Sequence, residues 1–448
     1  MKIKFSSFPF SVLSICFAAA EPLPLSTSYW KDPAFLKSFN GSYRIEARIE
    51  PNVTTEERGL LLEVQKLMAD GKRQPALEKI QSSKLTKDSA ALTFNLANLQ
   101  FELGETEKAI ESYSAALEKY PSFRRAHRNL ALAYVRENQI DKAITHLTEA
   151  IRLGDADGST YGLLGYARLS REEFASALQA YRLAQVTEPN VAEWKAGIAQ
   201  CLQNLDEKAE AIALLEEVIR QRPTEASYSV LKANIHLELD QPKQAAKALE
   251  LPFRLENLDP DATLLLADLH LRAQREAPAK SAIETAFSSE ETAPSLAATL
   301  RLISTASAQQ NWSIAKELLE HAKTENPPLP LRLAKARYLI ESEEDSQTGQ
   351  NELDTILKED PTNGTALIIL AKHLSSKDQL GAAELLFERA TADSTTAYEA
   401  FVELARLHVS KSRYTEALKA VDSALALNPT EDLQTYRTAL ESTVAASQ

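Results

Sequence analysis

Residues 158–191, GSTYGLLGYARLSREEFASALQAYRLAQVTEPNV, are one unit of a pattern that runs along most of the chain. In this unit Ala177 stands four places before Tyr181, a small residue followed by a large apolar one. The same pairing recurs as Ala76 with Ile80, Ala109 with Tyr113, Ala143 with Leu147, Ala211 with Leu215, Ala245 with Leu249 and Ala279 with Ile283. It continues as Ala315 with Leu319, Gly349 with Leu353, Ala383 with Phe387 and Ala417 with Val421. Successive spacings are 33, then 34 five times, then 36, then 34 three times, so eleven units span roughly residues 57 to 430. A fixed period of this length marks a solenoid of stacked supersecondary units.

Each unit reads as two amphipathic helices. Leu92, Leu96 and Leu99, then Ala109, Tyr113 and Ala116, fall on the i, i+3, i+4, i+7 set of one helical face. Small residues such as Ala97 and Ala109 let the paired helices approach, and Gly104-Glu105-Thr106 supplies a turn. Pro121, Pro189, Pro223, Pro327, Pro361 and Pro429 share one equivalent place, where a residue without an amide donor ends the second helix. One pair cannot bury its apolar faces alone, so stability must come from stacking on neighbours.

The recurring residues Tyr161, Leu164, Gly165, Ala177, Tyr181, Ala184 and Pro189, and Leu130, Ala131, Tyr134, Ala143 and Ala150 one unit earlier, resemble the tetratricopeptide repeat signature. The resemblance covers more than four-fifths of the chain. It implies an all-α fold, a right-handed superhelical solenoid of antiparallel helix pairs, and a protein–protein interaction scaffold without enzymatic activity. In that family the first helices line a concave groove that receives peptides or partner proteins. Carried over position by position, the groove would present Phe94, Asn95, Asn98 and Phe101, then Arg125, Arg128, Asn129 and Leu132, then Tyr166. Asn amides can grip a peptide backbone through donor and acceptor, and Arg can hold a carboxylate by two bonds. The family's clamp for a terminal carboxylate needs a Lys where this chain has Phe94, and basic residues where it has Ser159 and Leu163. That particular ligand is therefore not expected.

The ends differ from the repeat. Lys2 and Lys4, the apolar stretch Phe5 to Phe17 and then Ala18-Ala19-Ala20 read as a secretory signal peptide over residues 1–20. The expected location is outside the cytoplasm, periplasmic or secreted, with a bacterial envelope favoured. Residues 21–56 form an arm rich in Pro and Ser, with Tyr29, Trp30, Phe35, Phe39 and Tyr43 interleaved. Docking on the chain's own first repeats is favoured over partner capture. Residues 431–448 are expected to supply a cap helix and a tail. Two units depart from the pattern: Pro252 should break its helix early, and the acidic run Glu341 to Asp345 before Gly349 should loosen a joint around 341–350.

A net charge of -13 argues against a sequence-independent nucleic-acid binder, which needs clustered Lys and Arg. No phosphate-binding glycine loop, dinucleotide fingerprint, zinc-protease or nucleophile-elbow motif occurs, so no cofactor, metal or catalytic residue is expected. His236, His270 and His408 occupy the place of Tyr134, and His127 that of Tyr161, as packing substitutes. After signal removal Cys201 would be the sole cysteine, read as a small buried hydrophobe. No apolar run after the leader is long enough to span a membrane. Two rival readings remain: a component of envelope biogenesis, in polysaccharide export or outer-membrane assembly, and an enzyme subunit with an unrecognised site.

Overall fold

The computed structural model describes residues 50–288 and 292–447. Residues 1–20, expected to be a signal peptide, and nearly all of the expected arm lie outside these residues. The chain divides into two compact units, one ending at Leu258 and the other beginning at Asp259. The described residues contain twenty-three α-helices, one short 3-10 helix and no strand.

In the first unit the helices are α1 (Thr55–Ala69), α2 (Arg73–Gln81), α3 (Ala90–Glu102), α4 (Thr106–Lys119), α5 (Arg124–Arg136), α6 (Ile140–Arg152), α7 (Gly158–Leu169), α8 (Phe174–Thr187), α9 (Ala192–Asn204), α10 (Lys208–Gln221), α11 (Ala226–Glu238) and α12 (Pro242–Arg254). The second unit has α13 (Pro260–Arg272), α14 (Glu276–Ala286), α15 (Leu296–Ala308), α16 (Trp312–His321), α17 (Leu329–Glu341), α18 (Ser346–Glu359), α19 (Gly364–Ser376), α20 (Leu380–Ala390), α21 (Ala397–Ser410), α22 (Tyr414–Leu427) and α23 (Glu431–Ser447). Within each unit every odd-numbered helix up to α21 packs on the even-numbered helix after it, and the odd helices of neighbouring pairs also touch, as α3 with α5 and α5 with α7. In the second unit α23 closes the stack against α22 through buried Leu433 and Leu440.

The turns repeat with the helices. Each turn inside a pair holds one residue in the left-handed region: Gly71, Gly104, Asn138, Glu172, Asp206, Asp240, Gln274, Gln310, Glu343, Asp378 and Ser412. That single kink reverses the chain within three or four residues, which forces the two helices antiparallel. The small residues of the repeat close the contact: Ala76, Ala109, Ala143, Ala177, Ala211, Ala245, Ala279, Ala315, Ala383 and Ala417 are all completely buried.

Three expectations need correction. Pro252 does not end α12 early; it sits inside the last turn of a helix that continues to Arg254. So close to the end its missing amide forfeits a single backbone bond, and the helix tolerates that. In α16 the buried partner of Ala315 is Leu318, and Leu319 is only half-buried, because Ile314 also turns inward and rotates the apolar face by one position. The turn before Gly349 is longer but tied: Asp345 caps α18 by accepting from the Thr348 amide at 3.1 Å, and Glu344 pairs with Lys316 at 2.6 Å. Gly349 itself is a close-approach residue, since a Cβ there would lie 2.8 Å from the Ala336 carbonyl oxygen.

Candidate functional site

The residues expected to line a groove fall on α3, α5 and α7 of the first unit, whose faces lie side by side. Five of them are absorbed into packing. Phe94 is buried against Tyr113 and Phe123, with ring centroids 5.8 and 4.7 Å away. Leu132 is buried in the same cluster. The Asn98 side-chain oxygen accepts from the Tyr113 hydroxyl at 2.6 Å and from the Asn129 amide at 3.0 Å. The two asparagines therefore tie α3, α4 and α5 together. Arg128 reaches Asp157, the residue capping α7, at 3.2 Å, so it joins α5 to α7.

The others stand nearer the surface. Asn95 is half-buried and its amide donates to the Ala91 carbonyl at 2.7 Å. Phe101 is the exception, buried in the core cluster beneath the Arg136 guanidinium, 5.2 Å from its ring centroid. Tyr166 is half-buried on α7 against the next cluster of core residues.

Arg125 is the centre of the arrangement. Its guanidinium lies 5.4 Å from the Phe94 ring centroid and 5.9 Å from that of Phe123, a cation placed over two aromatic faces. From there its Nε donates to Glu50 Oε2 at 3.0 Å, and Arg124 Nε stands 3.9 Å from Oε1 of the same carboxylate. Glu50 is only 4% exposed, although it lies on the arm and far from α5 in sequence. Burial raises its carboxyl above the usual carboxylate range, outweighing the pull of Arg125 and Arg124.

Sequence reasoning missed Glu50, Phe123 and Asp157. Asp157 carried a signal, since it precedes a helix as a capping residue does. Glu50 carried none, because a single acid between an aromatic arm and Pro51 has no period to place it.

Elsewhere the titratable groups are used in packing. His127 Nδ1 and His146 Nδ1 are 2.9 Å apart, and His127 Nε2 donates to the Pro121 carbonyl at 2.9 Å. His236, His270 and His408 are buried at the packing positions expected of them. Cys201 is buried, and burial pushes its thiol up to about 12. A cleft of about 590 Å³ opens between the start of α1 and the 3-10 turn Lys84–Lys87, but its Glu57 is committed to a capping box with Thr54. Among the described residues no group of three or more His, Cys, Asp or Glu gathers as metal ligands do, and no helix is long and apolar enough to cross a membrane.

Stacked helix pairs whose first helices share a face define a helical repeat protein. Comparison with known families gives the repeat its type: the tetratricopeptide repeat model matches residues 94–158, 163–226 and 370–432, so the chain carries tetratricopeptide repeats. Proteins built on this repeat generally mediate protein–protein interactions. The chain is similar to Superkiller protein 3 of Schizosaccharomyces pombe, 26% identical over 121 residues that make up 27% of this chain and 9% of that protein. It is also similar to small glutamine-rich tetratricopeptide repeat-containing protein 2 of Mycosarcoma maydis, 29% identical over 105 residues, 23% of this chain and 30% of that protein. The chain thus spans less than a third of either relative. Among solved structures, yeast Tom70 covers 86% of this chain with 96% of its own, at 13% identity and a TM-score of 0.43.

Proposed function

We propose that the protein is a non-enzymatic scaffold that binds partner proteins, or extended peptide segments of them, along the first helices of its N-terminal unit. In this reading all eleven pairs are tetratricopeptide units and α23 is their cap. The chain acts outside the cytoplasm, directed there by residues 1–20, in a bacterial envelope. Its partners are proteins or peptides, in keeping with a net charge of -13 that repels nucleic acid.

The observation that supports this most is the arrangement around Arg125. A guanidinium held over two rings is a rigid polar anchor on an otherwise packed face. Rigid Arg and aromatic anchors dominate the energetics of protein interfaces. Phe94, Asn98, Phe101, Asn129, Leu132 and Arg128 hold that face in shape, and Arg125, Asn95 and Tyr166 meet the partner.

Affinity capture from the native host with the wild-type chain and with Arg125→Gln tests the reading. The wild type should retain a specific protein set that the variant loses while keeping its helical signal, its melting temperature lowered because buried Glu50 loses its nearest partner. Equal capture by both places the binding surface elsewhere. Turnover of a captured small molecule in place of protein retention would favour the enzyme reading.

A further inference from the structure

Two histidines meet inside one helix pair. His127 on α5 and His146 on α6 bring their Nδ1 atoms to 2.9 Å, with ring centroids 5.1 Å apart and ring planes inclined by 33°. They are not equivalent places in successive units; they join the first helix of one unit to its second. The far nitrogen of His127, Nε2, donates to the Pro121 carbonyl at 2.9 Å, which leaves the lone pair of its Nδ1 facing His146. An imidazole whose other N–H is tied to a backbone carbonyl is oriented as metal-ligating histidines are. His146 is half-buried, so solvent reaches it, and Tyr134 stacks on its ring with centroids 5.7 Å apart. One turn further along α6, Glu149 lies on the side of the helix that carries His146. The Arg152 guanidinium holds its carboxyl below the ordinary carboxylate range, and both imidazoles act on it in the same direction. Its oxygens accept from Arg152 at 2.5 and 2.8 Å, an exposed pair that costs little to open.

We infer that His127, His146 and Glu149 form a site for a divalent transition-metal ion of the zinc class, held by the two Nδ1 atoms and one carboxylate oxygen with water in the fourth place. Imidazole and carboxylate are ligands that such ions take, and two of the first with one of the second leave a tetrahedral ion one open position. Two nitrogens on a tetrahedral zinc ion stand about 3.3 Å apart, so the rings must part by about 0.4 Å. The half-buried ring of His146 supplies that movement. In the metal-free chain a proton takes the ion's place, donated by His146 Nδ1 to His127 Nδ1. On binding, His146 passes to its Nε2–H tautomer and its Nδ1 gives the freed lone pair to the ion, so the neutral pair releases no proton. Glu149 turns from Arg152 to complete the set, which is why the three groups do not stand together without the ion. Lys142, which would repel a cation, is turned to the Gln139 side-chain oxygen at 2.8 Å and to the ring of Tyr134. The site is independent of the protein-binding face and cross-links the helix pair that carries Arg125.

Zinc chloride titrated into the full, chelator-treated chain at pH 7.5 and followed by calorimetry tests the site. One equivalent should bind, and magnesium chloride, whose ion takes oxygen ligands, should not compete. His146→Gln should abolish that equivalent. Glu149→Gln leaves both rings and their contact in place, so it serves even if His146→Gln melts early, and it should weaken zinc binding about tenfold, the scale on which metal sites respond even to loss of a supporting group. His373→Gln, in the second unit, should bind zinc as the wild type does. Excess zinc should raise the melting temperature of the wild type and of His373→Gln and leave that of His146→Gln where it was, since an ion stabilises only a folded state that binds it. No saturable equivalent in the wild type would overturn the inference. Equal binding by wild type and His146→Gln would mean an adventitious ion only, and overturns it as well. Loss of the equivalent in His373→Gln, or undiminished affinity in Glu149→Gln, would overturn the assignment of these three ligands.

Discussion

Gly197 on α9 faces the buried ring of Tyr181 so closely that a Cβ would lie 2.4 Å from its Cζ, and Gly165 on α7 approaches the same ring from the other side. Gly197→Ala should therefore lower stability by about 1–3 kcal/mol through overpacking, exceeding the roughly 1 kcal/mol gained in helix propensity; a urea titration measures it, and a net gain would show that Tyr181 can move. The His127–His146 pair gives a pH dependence. His127 must donate through Nε2 to a carbonyl, so in the neutral pair its Nδ1 accepts the proton of His146 Nδ1. Burial first, and then His127, hold His146 down at about 4, against 6.5 when unfolded. The folded state thus binds fewer protons, its stability is whole above the unfolded value, and it drains away as pH falls from 6.5 towards 4. For a half-exposed ring the contribution is on the order of 1–2 kcal/mol. The difference in stability between wild type and His146→Gln at pH 7.5 and pH 4 should shrink by that amount. Residue identity at such places was only partly legible. The packing histidines were readable from their register, whereas Asn311 and Asn363, each followed by x-Ser or x-Thr as a glycosylation site would be, cap α16 and α19 through their side chains. The local triplet is blind to the helix start behind it.

At the scale of the element, the turns carry a regularity that the side chains conceal. Glu172, φ +59°, occupies a left-handed position with a side chain that gains nothing from it, as Gly104 does without strain at φ +82°. Glu172→Gly should raise stability by about 0.5–1 kcal/mol, the steric relief exceeding the entropy cost of glycine; thermal melting checks it, and a loss would mean that Glu172 makes contacts worth more than the strain. Helix pairs were legible because their apolar faces repeat at 3.6 residues and stack in one register. What misled was the single unusual residue. A proline in the last turn costs one bond and not the helix, and an acidic turn is fixed by a Lys from the preceding pair. Neither compensation lies within the window that raises the alarm. The groove was half legible for the same reason: family positions named the face, but the bonds among Tyr113, Asn98 and Asn129 depend on helices meeting across sequence.

On the scale of the whole molecule, the 34-residue period runs through the chain, yet the compact units part at Leu258, just beyond the end of α12 at Arg254. Stacks of this kind lose stability unit by unit. Urea unfolding of the full chain should therefore show more than one transition, and a chain ending at Leu258 should retain its helices and reproduce one of them; a single all-or-none loss in both would contradict the division. Architecture and stability do not by themselves show what the first helices are for. Hydrogen exchange on the full chain, with and without the partner captured from its host, addresses that directly. Binding through the proposed face predicts slowed exchange in α3, α5 and α7, centred on the start of α5, with α4, α6 and α8 unchanged. Protection confined to the second helices, or to the unit beyond Asp259, would contradict it.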